Sequence, residues 1–464
     1  MSETNISSRL AEKARRAMSS SAISSALWVV LGSAGTQVIR LIGNLILTRL
    51  LVPELFGIMA IANSIMIGLD MLSDVGLRGA VVNSKRIEEP DFLRTAWTIQ
   101  VIKGFVMGAL TLSLAYPLVL AYGEPDLGWV MVIFAFAASA KGFKSITLLV
   151  YDKKMELRGQ MIAELAARVL SIIFMVLWAY LSPTIWALAV GALFGALIDL
   201  YFSYRYFSGH QSKWRLEKDA LREILHFGKW ILVSSSISFV TNQGDKLIMS
   251  VWMSMAAMGL YSVASSLSMA FVGVTGALSV RVLHPYFRKS MEDHGNFKQV
   301  HKVRRKMNAF NTSFCVFVAM AGEWIINVLY DERYQQAGWM LQVLALGQIG
   351  SLMIMTLRPF LIARGDSFSQ TKHSTMSSIM LVAYLIVGGN LAGVLGVVVG
   401  YALWGMMAHP IMIFYAVKHG YNCYRSDMGM MIIAFAFTIS FWFVTDATIV
   451  DVFLAALEGK ADAL

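Results

Sequence analysis

Charged side chains stand inside long apolar segments of this sequence, where each is costly and therefore informative. They are Arg40, Asp70, Asp74, Arg78, Lys103, Lys141, Lys144, Glu164, Arg168, Asp199, Asp245, Lys246, Glu323 and Arg358. An ionised group in hydrocarbon surroundings faces a partner or a polar cavity. Asp74 and Arg78 lie four residues apart, as do Glu164 and Arg168. That spacing puts each couple on one helix face and reads as internal neutralisation. Lys141 and Lys144 sit close enough to a basic segment to snorkel. Arg40, Lys103, Lys246 and Arg358 have no same-helix partner at helical spacing, Asp245 being merely adjacent to Lys246. At about 1.5 Å per residue, Arg40 lies some ~20 Å along its helix, too deep for easy snorkelling. These four are candidates for a cationic cavity that takes an anionic cargo, Arg through a planar fork and Lys as a point charge. Arg78 is a fifth candidate, weakened by Asp74. Pairing with carboxylates on other helices is the competing reading. Asp74, Asp199, Asp245 and Glu323 are candidate ion-coupling groups, since a desolvated carboxylate can exchange a proton near neutrality. Balancing a nearby cation is the plainer alternative for each.

The elements that must position these residues follow from hydropathy. The chain is 57% hydrophobic and 15% charged, with a mean hydropathy of +0.61, far from the roughly 25% charge of soluble domains. A spanning helix needs about 20 mainly apolar residues, and backbone amides in lipid must be bonded within the segment, which dictates helices. The expected spans are 26–50, 55–82, 92–121, 127–150, 160–180, 184–204, 229–253, 256–280, 307–330, 339–362, 374–389, 394–417 and 428–445. Alternate connections carry the Lys and Arg residues, Arg333 being the clear exception. This asymmetry predicts a cytoplasmic N-terminus and cytoplasmic basic segments. It also accounts for the net charge of +10 without nucleic acid, because the basic residues form no single patch. The long basic stretch Arg281 to Lys306 reads as a loop. Cys315 and Cys423 suggest neither a disulfide framework nor a metal site. No loop exceeds about 30 residues and no nucleophile constellation is present, so the chain is not read as an enzyme.

A weak internal repeat relates the segment ending at Ser64 to one 202 residues later, aligning Gly57 with Gly259 and Ala62 with Ala264. The connections Tyr122–Trp129 and Tyr330–Trp339 fall in equivalent places. Transporters are often built from such halves, with the cargo site between them. The expected organisation is a cytoplasmic segment 1–25, a six-helix bundle 26–206, a linker 207–228, a second bundle 229–417, and an additional helix and tail 418–464. Gly388, Gly389, Gly393, Gly396 and Gly400 are read as close-packing residues of the eleventh and twelfth spans.

The stretch NQGDKLIMSVWMSMAAMGLYSVASSL (Asn242 to Leu267) resembles the polysaccharide transporter family of the MATE-like flippase superfamily. In that family an Asn/Asp-rich helix leads through a short turn into Gly-x-Tyr-x-x-Ala, here Gly259, Tyr261 and Ala264. Arg40, Asn44, Arg49, Leu50, Leu51, Pro53, Phe56 and Gly57 match its opening pattern. So do His284, Pro285, Tyr286 and Phe287 with Asp293, and Tyr334 to Leu346. The resemblance implies an all-α, polytopic membrane protein of two pseudo-symmetric six-helix bundles around a central cavity, with one or two extra C-terminal helices. It also implies transport of polyprenyl-diphosphate-linked oligosaccharide from the inner to the outer leaflet of a bacterial inner membrane by alternating access. Exopolysaccharide, capsule or O-antigen synthesis would be the pathway, with polymerase or export machinery as candidate partners. The cationic cavity would then grip the diphosphate. No cofactor is implied, and a proton or sodium gradient is the candidate energy source. A peptidoglycan lipid-precursor flippase and a drug/cation antiporter on the same superfamily fold are the rival readings.

Overall fold

The computed structural model describes residues 32, 35–74, 76–154, 156–207, 212–293 and 296–445. The expected N-terminal segment 1–25, the start of the first span and the tail after 445 lie outside the described residues. Regular structure among the described residues is helical. The elements are α1 (35–50), α2 (Pro53–Leu72), α3 (Leu77–Asn83), α4 (Pro90–Tyr122), α5 (Pro125–Gly142), α6 (Thr147–Lys154) and α7 (Arg158–Leu181). They continue with α8 (Ile185–Tyr206), α9 (Lys218–Met249), α10 (Met255–Glu292), α11 (Lys298–Leu329), α12 (Ala337–Arg364), α13 (Ser367–Lys418) and α14 (Tyr424–Thr445). Among the described residues, eight helices are individually apolar and long enough to cross a bilayer, and α5 with α6, bent by 64°, makes a ninth candidate.

Where the expected spans meet these helices, two departures have physical causes, and one expected boundary inside a continuous element is met. The span expected over 55–82 is broken between α2 and α3 at Gly76, which takes φ 61°. Asp74 Oδ1 accepts the Gly76 N–H at 2.9 Å, an Asx turn that competes with helix. Asp74 and Arg78 therefore lie on opposite sides of a break and share no helix face. The Arg281–Lys306 stretch, expected as a loop, is largely helical, because α10 continues to Glu292 and α11 starts at Lys298. At about 1.5 Å per residue, α10 is roughly 57 Å long and outruns a hydrocarbon core of about 30 Å. Finally, α13 holds two helices joined at Ala392 and Gly393, where φ reaches 52°. Across that hairpin a Cβ on Gly388 would come within 2.1 Å of the Gly396 carbonyl oxygen, which is close backbone packing of the kind expected for these glycines.

The described chain groups into two compact units, one from residues up to Gly43 and Leu72–Val233, the other from Asn44–Met71 and residues from Ser234. In the first, α4 packs on α5 and α7 on α8. The segment expected as a linker is partly a strap on this unit. Arg215 N–H donates to Thr98 Oγ1 at 3.0 Å and Glu217 N–H to Thr95 Oγ1 at 3.1 Å, while Arg86 binds Glu217 at 2.7 Å. Ala220 and Ile224 at the start of α9 are fully buried against Val81, Phe92 and Ala96.

The second unit is organised around α12, which is buried along most of its length and packs on α10, α11 and α13. Its α2 is held by a reciprocal contact. A Cβ on Gly57 would lie 1.9 Å from the Met255 carbonyl oxygen, and one on Gly259 would lie 1.9 Å from the Pro53 carbonyl oxygen. Only glycine permits that approach. Both members of one contact are displaced by 202 residues from those of the other, the offset of the sequence repeat, and such exchange is the mark of a local two-fold relation.

Candidate functional site

In the first unit, α1 runs parallel to α7, with Gly32, Gly35 and Gly43 facing Met161, Leu165 and Ile172 in the same order. This packing brings Arg40 within electrostatic reach of Arg168, and both side chains are exposed. Glu164, expected to neutralise Arg168, instead accepts a hydrogen bond from Gln160 Nε2 at 3.0 Å. Arg168 makes no ion pair among the described residues. Two neighbouring guanidiniums repel unless an anion lies between them, so Arg168 joins Arg40 as a cargo-binding candidate. Sequence reasoning missed it because a spacing of four residues permits an ion pair without requiring one. Lys103 is half-buried on α4 and engaged by a neighbour.

Other expected residues of this unit are committed elsewhere. Arg78 donates to Asp152 Oδ2 through Nε at 2.9 Å and Nη2 at 2.8 Å, so its charge is balanced by Asp152 and not by Asp74. Asp199 binds Lys144 at 2.6 Å. Asp74 spends one oxygen on the turn at Gly76.

In the second unit, Asp245 on α9 is 4% exposed and accepts a hydrogen bond from the Tyr261 hydroxyl at 2.7 Å. That bond spans the turn between α9 and α10 and explains why an Asp-bearing helix is followed by Gly-x-Tyr. The other carboxylate oxygen, Oδ1, is buried without a hydrogen bond among the described residues. Lys246 is half-buried beside it, and Arg358 is half-buried on α12; neither makes an ion pair among the described residues. Glu323, half-buried on α11, has a neighbour of its own and its Cα packs on Gly338.

Two polar features of this unit were not legible in the sequence. Arg304 and Asp427, 1% and 0% exposed, form a bidentate pair at 3.0 and 2.6 Å, and His409 Nε2 lies 3.2 Å from the same carboxylate. The pair joins α11 to α14, beside a Cys423 thiol that burial pushes up to about 12. Arg333, the exception to the loop-charge rule, donates through Nη2 to the Thr48 and Arg49 carbonyl oxygens at 3.3 and 3.1 Å. Tyr334 donates to Leu51 O at 3.0 Å. Together they cap the exposed carbonyl end of α1, where a cation is favoured. Hydrogen bonding to Asp331 holds the Arg333 guanidinium above its ordinary range.

Comparison with known proteins gives the arrangement a context. The sequence model of a family described as polysaccharide biosynthesis protein matches residues 46–338. The succinoglycan biosynthesis transport protein ExoT of Rhizobium meliloti (strain 1021) is 24% identical over 344 residues, 73% of this chain and 68% of that protein. The lipopolysaccharide biosynthesis protein WzxC of Escherichia coli (strain K12) is 20% identical over 404 residues, 85% of this chain and 81% of that one. Among solved structures, the inward closed conformation of the lipid II flippase MurJ superposes with a TM-score of 0.69 at 13% identity, covering 93% of this chain and 96% of that one. An inward-facing multidrug resistance MATE family transporter of the MOP superfamily gives 0.61 at 14% identity, with 82% and 94% covered. At such identities the structural likeness speaks for the fold alone.

Proposed function

The chain belongs to the polysaccharide biosynthesis protein family, and from that premise we propose that it translocates polyprenyl-diphosphate-linked oligosaccharide units across the bacterial cytoplasmic membrane by alternating access. A diphosphate bearing several sugars cannot cross about 30 Å of hydrocarbon unaided. The single observation that carries this reading is the family match over 46–338. Relatives named for succinoglycan and lipopolysaccharide synthesis support a polysaccharide precursor as cargo. The chemistry agrees, because Arg40 and Arg168 stand together and neither makes an ion pair among the described residues. Lys246 and Arg358 add cations without ion-pair partners among the described residues, and Lys103 remains a candidate. Arg78 is the weakest, being balanced by Asp152.

For energy coupling, Asp245 is the best placed of the four carboxylates. It is buried, it is held by one tyrosine hydroxyl, and its other oxygen has no hydrogen bond among the described residues. Asp199 is taken by Lys144, Asp74 by its turn, and Glu323 by a neighbour. The distribution of Lys and Arg supports basic segments and N-terminus in the cytoplasm.

Deleting the gene should abolish surface polymer and cause the lipid-linked intermediate to accumulate. Arg40→Ala and Lys246→Ala should each do the same at unchanged protein level. Normal polymer in both variants refutes the cationic-cavity assignment. Accumulation of a peptidoglycan precursor instead would favour the lipid-precursor flippase, and drug sensitivity alone would favour the antiporter.

A further inference from the structure

Inside the second unit, buried polar residues repeat at helical intervals on four helices. On α10 they are Tyr261, Ser265, Ser268, Thr275 and Ser279; on α11 they are Arg304, Asn308, Asn311 and Cys315. On α12 they are Gln348 and Thr356, and on the second half of α13 Tyr401 and His409. Steps of three, four, seven and eight residues keep each set on one helix face. The faces meet: Thr275 Oγ1 donates to Asn311 Oδ1 at 3.3 Å and Thr356 Oγ1 to Asn308 Oδ1 at 2.8 Å. Tyr401 faces Gln348 and its ring lies 6.5 Å from that of Tyr261. One end of the stripe is Asp245 with Tyr261; the other is His409 with Asp427 and Arg304. From Tyr261 to Ser279 the α10 stripe covers about 27 Å at ~1.5 Å per residue, nearly a hydrocarbon thickness of ~30 Å.

A stripe of this kind ordinarily serves as a dry network that holds helices together, with its polar atoms satisfying one another. This one does not. Ser268 Oγ, Ser279 Oγ, Asn308 Nδ2, Asn311 Nδ2, Arg304 Nε, His409 Nδ1 and Asp245 Oδ1 are all buried without a hydrogen bond among the described residues. A buried polar atom left bare costs free energy, and here the bare atoms follow one line between two carboxylates. The partner of the right size and of both hydrogen-bonding senses is water.

We propose that the second unit encloses a hydrated proton track running from His409 to Asp245. The inference rests on reading Asp245 as the coupling carboxylate. A proton taken up at His409 Nδ1 makes an imidazolium balanced by Asp427. It leaves as one hops along hydrogen-bonded water and arrives at Asp245 Oδ1, which becomes a neutral acid while Tyr261 still donates to Oδ2. Chains of carboxylates and histidines serve as proton relays in membranes. A metal cation is disfavoured because the amide nitrogens of Asn308 and Asn311 are donors on the line and Arg304 sets a fixed positive charge at one end. The groups facing His409 are Asp427 from α14, Arg304 from α11 and His373 from the first half of α13, with Tyr421, Cys423 and His301 beside them. Those facing Asp245 are Lys246, Tyr261 and Tyr401.

Two measurements on the full chain in nanodiscs test the track without any cargo. Hydroxyl radicals generated from bound water should oxidise Cys315, 3% exposed, far faster than Met131, 0% exposed in the first unit. Equal protection of the two sulfurs overturns the proposal. After a rapid pH drop, the infrared band of a protonated carboxyl that is absent in Asp245→Asn should rise about tenfold more slowly in Asn311→Leu, the rate ratio for losing one hydrogen-bond step. Asn311→Ser, which leaves room for water, should restore the rate. An unchanged rate in folded Asn311→Leu overturns the proton role. Cargo flipping that ignores a pH gradient while both measurements behave as expected would instead remove Asp245 from coupling and leave the track standing.

Discussion

Replacing Asp427 by alanine should loosen the last described helix, because it strands a guanidinium that is 1% exposed. In the native chain Arg304 gives both terminal nitrogens to the carboxylate, at 3.0 and 2.6 Å, and Nη2 also reaches Met353 O at 3.5 Å. Removing one partner of a buried pair costs about 3–5 kcal/mol, since the survivor keeps its charge and loses its compensation. The cost has an upper limit set by α14 itself. Beyond the ion pair, its described polar anchor to α11 is the Trp442 indole donating to Ala319 O at 2.9 Å. Undocking of α14 therefore offers a cheaper escape than global unfolding. The assay is thermal unfolding in detergent, followed by tryptophan fluorescence and, separately, by proteolysis of the 419–423 connection. Asp427→Ala and Arg304→Met should each lose several kcal/mol and open that connection to protease. The double variant Arg304→Met/Asp427→Leu should recover most of the loss, because apolar side chains of similar volume replace such pairs at little cost. If the double variant loses as much as the sum of the singles, or Asp427→Ala loses under ~1 kcal/mol, the buried pair is not what holds α14.

Three further outcomes follow from the geometry. Gly57→Ala or Gly259→Ala should destabilise by about 1–3 kcal/mol through overpacking, because the added carbon would meet a carbonyl oxygen 1.9 Å away; unchanged thermal midpoints would contradict the close contact. Arg333→Ala should cost about 0.5–1 kcal/mol and Arg333→Lys nearly as much, since a point charge cannot hold both carbonyls of α1; amide exchange at residues 48–51 reads this directly. The Ser369 N–H and hydroxyl, with His419, hold the Asp366 carboxyl below its ordinary range. Its contribution is present above the unfolded value of about 4 and is lost as pH falls through the lower folded value. The thermal midpoint gap between the parent and Asp366→Ala should accordingly close as the pH falls into the acid range.

How far the sequence could be read depended on the range of the interaction. Apolar runs placed the spans well because a helix in lipid satisfies its own backbone and needs only length. The break at Gly76 escaped notice, as one Asx turn outweighs a hydrophobic run without disturbing its average. Asp74 and Arg78 then lost the shared face that their spacing promised. Arg304 was counted as one basic residue among many in a topology signal. Its partner stands 123 residues away, and no local pattern marks a cation that turns inward. The same limit hid the link between Asn308 and Thr356. Asp245, by contrast, was visible as an acid beside Lys246 in an apolar helix, and Tyr261 as part of a motif whose purpose only the hydrogen bond between them supplied. Short-range chemistry survives in one dimension; pairings that close across helices do not.

The reciprocal seat of Gly57 and Gly259 also bears on how such a chain can change over generations. In a dimer of identical subunits every substitution at a two-fold contact enters twice, so a harmful change is doubled and a lopsided one is unavailable. Here both copies of the contact are encoded separately in one polypeptide, and each can be altered alone. The connection Tyr330–Trp339 carries Arg333 and its grip on α1, whereas the connection Tyr122–Trp129, which the sequence repeat sets against it, contains no cation at all. A joined pair of contacts can thus keep its shared seat while one connection acquires a fitting another lacks. A protein that must present different faces to the two sides of a membrane has use for that freedom.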